Sequence, residues 1–145
     1  MKKLGIITLC VALLITVLTG CGSTPTSSGN SGKKPIPNLA GEWKQSNSKS
    51  DDSYQAATIS GDTIEIYWVS DNGNTKSLYW AGSFAAPTTV DEPYKWISKN
   101  DHSRTGSAML ASSDDTKAMT YEKGVLSYEA SALGTTTTIK LEKIK

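Results

Sequence analysis

"GDTIEIYWVSDNGNTKSLYWAGSF" runs from Gly61 to Phe84, and its alternation decides the fold. Successive side chains of an extended chain point to opposite sides, so Ile64, Ile66 and Trp68 share one face while Thr63, Glu65 and Tyr67 share the other. Asp71-Asn72-Gly73-Asn74 then offers four residues that tolerate positive φ, after which Leu78, Trp80, Gly82 and Phe84 resume the alternation. A β-hairpin is expected, with Ile66, Trp68, Leu78 and Trp80 on the inward surface. The oxygen-rich "DNGN" suggests a calcium loop, but it lacks the glutamate that closes one, and its place between two alternating runs makes it a turn.

The same pattern spreads in both directions. Upstream, "YQAATIS" (Tyr54 to Ser60) leads into a Gly61-Asp62 turn, and Gly41 to Ser46 precedes it as a first strand. Downstream, Pro87 breaks the run, "YKWIS" (Tyr94 to Ser98) is a further strand, and a polar loop from Lys99 to Gly106 leads to a weaker strand at Ser107 to Ala111. "KAMTYE", a Lys123-Gly124 turn, "VLSYEAS" and "TTTTIKLEKI" complete the series, with Leu126, Tyr128 and Ala130 on one side and Ile139 and Leu141 inward. No run of ten or more residues carries helical apolar spacing. The expected fold is all-β: an antiparallel meander of about eight or nine strands over residues 38–145. Closing such a meander into a small barrel removes its exposed edges, and a two-sheet β-sandwich is the alternative.

Within "NLAGEWKQ" (Asn38 to Gln45), Leu39, Gly41 and Trp43 alternate, so the two apolar side chains share a face and the glycine admits a close neighbour. This resembles the Gly-x-Trp opening of lipocalin-like and avidin-like barrels, and the resemblance implies a tryptophan closing the bottom of the barrel. The Thr-Asp-x-Tyr segment of lipocalins is absent. The arginine they place over the tryptophan has no counterpart either, since the only arginine is Arg104 in a loop; Lys140 is the cation left to substitute for it. No ligand-site residue carries over from either family.

Ahead of the β domain, Met1-Lys2-Lys3 and the apolar run "LGIITLCVALLITVL" have the layout of an export signal. Leu18-Thr19-Gly20-Cys21 resembles the bacterial lipobox, which implies that residues 1–20 are removed and that Cys21 carries the lipid. The apolar run is shorter than the roughly 20 residues that span a bilayer. Two acyl chains, at about 0.8 kcal/mol per buried CH₂, anchor a protein durably where one does not. Residues 21–37, the lipidated cysteine and the Gly/Ser/Thr/Pro-rich stretch after it, bury too little to order themselves and read as a tether reaching roughly 20 to 24 Å. Lys33-Lys34 reads as solubilising charge. Taken together with "GEWKQ", "IEIYWVSDNG" and "LYWAGSF", the chain resembles small lipobox proteins encoded on prophages and other mobile elements of Gram-positive bacteria. The expected location is the extracytoplasmic face of the bacterial cell membrane, held there by lipid.

The 145 residues hold 15 basic and 14 acidic side chains, and without Lys2 and Lys3 the balance is 13 to 14, so no field favours nucleic acid. Cys10 and Cys21 both precede the β domain, which therefore has no disulfide. One histidine, His102 in "KNDHSRTG", supplies neither a metal site nor a triad and reads as a solvated loop residue. Asp51-Asp52, Asp91-Glu92 and Asp114-Asp115 are the acid pairs from which a glycosidase would need two carboxylates roughly 5 to 9.5 Å apart; in Ser/Thr-rich loops such pairs are turn formers. Thr135 to Thr138 reads as ordinary strand. Trp43, Trp68, Trp80 and Trp96 either line a ligand cavity or fill the core, and a domain of this size without a disulfide or metal favours the core. The expectation is a non-catalytic binding or interaction module with no cofactor and no metal, partnered by the membrane and by an envelope or phage protein, with phage exclusion as one role. A carrier of a small apolar or amphipathic ligand is the alternative.

Overall fold

The computed structural model describes residues 34–144 except 133. The signal segment 1–20, with Leu18, Thr19 and Gly20, and Cys21 with nearly all of its tether lie outside the described residues. Eight strands, β1 (Gly41–Gln45), β2 (Tyr54–Ser60), β3 (Thr63–Ser70), β4 (Thr75–Ser83), β5 (Tyr94–Lys99), β6 (Thr116–Glu122), β7 (Val125–Ala132) and β8 (Thr135–Lys143), form one sheet in the spatial order β4-β3-β2-β1-β8-β7-β6-β5. All pairings are antiparallel, and β1 pairs with β8 through Trp43↔Lys143 to Gln45↔Leu141. The sheet is thus a meander rolled into a nearly closed barrel, not a two-sheet sandwich.

The turn residues sit where backbone geometry demands them. Asp71, Asn72 and Gly73 between β3 and β4, and Lys123-Gly124 between β6 and β7, have positive φ, a conformation that costs asparagine, aspartate and glycine least.

The seam lies between the two edge strands of the sheet, β4 and β5, and is bridged at Gly82↔Asn100, just past the end of β5. The last residue of β5 and the chain after it seal the rest of the β4 edge. Asp101 N donates to Ala81 O at 2.8 Å, Ser112 N donates to Tyr79 O at 2.8 Å, and Lys99 N donates to Ser83 Oγ at 2.9 Å. A short helix, α1 (His102–Thr105), starts in this segment with Asp101 as its N-cap. The weak strand expected at Ser107 to Ala111 does not form. Ala108 N and Ala111 N donate to Thr105 O and Ala108 O in consecutive turns, leaving no extended run to pair, so the strand count is eight.

A second correction concerns the opening hairpin. Its register shifts between Ile66 and Tyr67: Ile66 pairs with Trp80 and Tyr67 with Leu78, so Tyr79 is an extra residue on β4. A bulge of this kind changes which face each residue serves. Tyr79 and Trp80 both join the core cluster, and Leu78, expected inward, does not.

The core is most tightly filled at the end where β1 begins. Trp43 is 1% exposed, donates Nε1–H to Leu39 O at 3.0 Å and meets the Tyr121 ring edge-on at 6.2 Å. Trp96 packs on Phe84 at 5.3 Å and on Tyr94 at 5.6 Å. Gly41, at φ 127°, lies so close to Lys143 that an added Cβ would sit 2.9 Å from its Cε. Glu92 ties the loops there, accepting from Lys34 Nζ at 2.6 Å and from Lys123 N at 2.7 Å. Lys140, the cation left to substitute over Trp43, does not cover it: it alternates outward between Ile139 and Leu141 and is exposed. Arg104 lies on α1 and pairs with Glu65 at 2.8 Å.

Candidate functional site

At the opposite end the barrel is open, and a cavity of about 660 Å³ occupies its mouth. Trp68 forms one wall; Ala130 and Ala132 of β7 and Thr135, Thr137 and Ile139 of β8 form the other. Gln45, Lys49 and Ser53 stand at the rim, with Leu110 reaching over from the segment that seals the seam. The wall follows from strand periodicity: Thr135 and Thr137 precede Ile139 and Leu141 at two-residue spacing, and Ala130 and Ala132 continue the face of Leu126 and Tyr128.

The rim is held by side chains that extend the ladder. Asn47 Nδ2 donates to Thr138 O at 2.9 Å and its Oδ1 accepts from Lys140 N at 3.0 Å, which prolongs the β1–β8 pairing past the last residue of β1. Ser48 Oγ donates to Ser53 O at 2.7 Å across the β1–β2 loop.

A polar layer lies beneath the cavity. Gln55, fully buried on β2, accepts from the Tyr128 hydroxyl, and its backbone N–H donates to Gln45 Oε1 at 2.8 Å. Tyr79 stacks on Tyr128 at 6.5 Å and meets Trp68 edge-on at 5.4 Å. Burial, with Tyr79 alongside, holds the Tyr128 hydroxyl well above the ordinary tyrosine range, so it remains a neutral donor. Among the described residues, Gln55 Nε2 and the Tyr79 hydroxyl have no hydrogen-bond partner, nor does Trp96 Nε1 at the closed end.

Lys117 is the buried cation of this layer. Its Nζ donates to Asp114 Oδ2 at 3.0 Å and to Glu129 O at 3.2 Å, and it stands 5.3 Å from the Tyr79 ring centroid and 5.1 Å from that of Trp80. The Ser112 hydroxyl and Lys117 together hold the Asp114 carboxyl below its usual range. The lysine sits where β6 and β7 part. Their pairing stops at Met119↔Tyr128, whereas β6 stays paired to β5 as far as Thr116 and β7 to β8 as far as Ala132.

The four tryptophans therefore divide. Trp43, Trp80 and Trp96 are buried in the core, Trp80 donating to Ser98 Oγ at 2.9 Å, and Trp68 alone lines the cavity. Asp51, Asp52 and Asp91 are exposed in loops, Glu92 serves the closed end, and His102 pairs with Asp115 at 2.9 Å in solvent. Sequence reasoning passed over Gln55, Tyr79 and Lys117, and read Thr135 and Thr137 as ordinary strand. The available signal was a polar residue at an inward position of an alternating strand, which Gln55, Thr135 and Thr137 satisfy; the bulge hid Tyr79. Among the described residues no group of three or more His, Cys, Asp or Glu is placed to hold a metal ion. No protein-family model, no curated protein and no solved structure matches the chain.

Proposed function

We propose that the protein is a lipid-anchored binding lipoprotein on the extracytoplasmic face of the cell membrane, and that its barrel takes up a small apolar or amphipathic molecule at the open end. The observation that carries this reading is the mouth cavity, whose volume lies within the range of small-molecule sites and whose walls combine Trp68 and Ile139 with small side chains.

The test uses the chain without residues 1–20 and with Cys21→Ser, so that no lipid is attached. Titration with 1-anilinonaphthalene-8-sulfonate and with decan-1-ol, followed by tryptophan fluorescence and native mass spectrometry, is expected to give saturable one-to-one binding that Thr137→Trp abolishes. Absence of saturable binding by both probes rejects the reading. Anchoring is tested separately: metabolic labelling with an alkyne fatty acid should mark the full chain and not its Cys21→Ser variant.

A second reading, an interaction module for an envelope or phage protein, is favoured by Met109, 96% exposed, and Leu110, 53% exposed, which project together beside the mouth. Expression of the full chain in a naive host should then lower phage adsorption or DNA entry, and Met109→Ser with Leu110→Ser should restore it. Unchanged plating across a phage panel removes the exclusion role.

A further inference from the structure

The polar layer under the cavity holds hydrogen-bonding capacity that the protein itself does not use. Gln55 is 0% exposed and Tyr79 2% exposed, yet Gln55 Nε2 and the Tyr79 hydroxyl have no partner among the described residues, whereas native interiors pair nearly all such groups. Turning the Gln55 amide over only exchanges which of its two polar atoms is left over. Both groups adjoin residues of the cavity wall. Gln55 is the cross-strand partner of Trp68 and is bonded to Gln45, and Tyr79 packs against the Trp68 ring. Tyr128, which joins them, is two residues from Ala130 on the same face of β7.

The charge of this layer is already balanced. Lys117, its cation, is committed to Asp114 and to Glu129 O. An anionic group entering the layer would lose its hydration without gaining a free cation, and a cationic group would meet Lys117 across two aromatic rings. A group that is neutral and forms hydrogen bonds has neither penalty.

We infer that the ligand is an amphiphile with an uncharged, hydrogen-bonding head, an amide, ester or alcohol, seated against the Gln55 amide and the Tyr79 hydroxyl while its apolar chain lies along Trp68, Ala130 and Ile139. This rests on the proposed reading of the mouth as a ligand cavity. Half-buried Trp68 lines the cavity, pairs with Gln55 across the strands and meets the Tyr79 ring, so the head group reaches those two residues as the Trp68 side chain turns toward the open space.

The experiment compares ligands of one chain length at neutral pH: decanamide, decan-1-ol, decanoate, decylammonium and decane, each titrated into the Cys21→Ser chain lacking residues 1–20. Decanamide and decan-1-ol are expected to bind roughly tenfold more tightly than the two ions, a difference on the scale of one well-made hydrogen bond against an unpaired buried charge. Tyr79→Phe, which removes one hydroxyl and keeps the ring, should erase most of the advantage of the neutral heads over decane and leave decane binding unchanged. Gln55→Leu should act in the same direction, with near-ultraviolet circular dichroism reporting that both variants are folded. Equal binding of all five ligands, or tighter binding of decanoate, overturns the head-group inference and leaves the cavity reading standing. Failure of all five to bind overturns both.

Discussion

The closed and open ends of the barrel are made by the same strands with inward side chains of opposite size. Along β8 the inward residues are Thr135 and Thr137 at the mouth and Ile139 and Leu141 deeper down; along β7 they run from Leu126 and Tyr128 to Ala130 and Ala132; β1 passes from Trp43 to Gln45. At the closed end, aromatic rings from three strands, β1, β5 and β6, and from the loop after β4 meet edge-on and stacked, and even the glycine of the first strand is pressed against a lysine. At the mouth the small side chains leave about 660 Å³ unfilled. Interior packing is close to crystalline wherever it can be, so a gap of this size at one end marks a place where the chain gave up dispersion contacts and apolar burial. Large aromatic side chains gather at the floor, and the unfilled space lies at the mouth.

The largest expected effect tests that division directly. Trp43→Ala removes a ring that is 1% exposed and should cost about 3–5 kcal/mol in denaturant unfolding, whereas Trp68→Ala, a half-buried ring facing the cavity, should cost less than about 2 kcal/mol. Equal losses would erase the distinction. Next in size is the seam, which the floor's packing depends on for closure. A Cβ at Gly82 would collide with Ser98 Oγ and stand 2.5 Å from Trp80 Nε1 and 2.7 Å from Lys99 O, so Gly82→Ala should lose about 1–3 kcal/mol and speed amide exchange at Lys99 and Asp101. Thr137→Leu, which adds bulk at the mouth, should change stability by less than about 1 kcal/mol, because open space is there to receive it. A loss comparable with that of Gly82→Ala would show that the mouth is as tightly specified as the seam.

The smallest effect concerns the outer wall between the two ends. Arg104 first, and the Tyr67 hydroxyl second, hold the Glu65 carboxyl below its usual range. A carboxyl depressed in the folded state stabilises fully above its unfolded pKa and loses that contribution as pH falls through the lowered folded value. The thermal midpoint of the protein should therefore fall more steeply on acidification below the ordinary glutamate range than that of Glu65→Gln, by a small margin because the pair is partly solvated. Identical pH profiles would mean that α1 is held on the wall by its backbone bonds to β4 alone.

Much of this barrel is legible in the residues taken in order. Period-two alternation gives the shared faces of β1, β3, β7 and β8, and Asp71-Asn72-Gly73 and Lys123-Gly124 mark the tight turns. The exception is instructive: β4 also alternates, yet one inserted residue at Tyr79 reverses the faces of Leu78 and Tyr79 relative to that pattern. The candidate site was less legible. Trp68 stands among the four tryptophans that either line a cavity or fill the core, but Thr135 and Thr137 read as ordinary strand, and a lone glutamine in "YQAATIS" carries no signal of a polar layer beneath the mouth.

From its order of residues alone this chain specifies an all-β meander, the shared faces of β1, β3, β7 and β8 and the Gly-x-Trp start of the first. Those are consequences of neighbours one and two positions apart, which every extended chain obeys. Three-dimensional pairing settled the rest: a seam between β4 and β5 sealed by the segment from Asn100 to Ser112, a bulge that turns Tyr79 inward, and small residues from β7 and β8 gathered opposite Trp68 around an unfilled mouth. Alternation assigns a residue to a face but not to a depth along the barrel axis. Depth is set by register and shear between strands far apart in the chain, and it separates a tryptophan that closes the floor from one that walls a cavity.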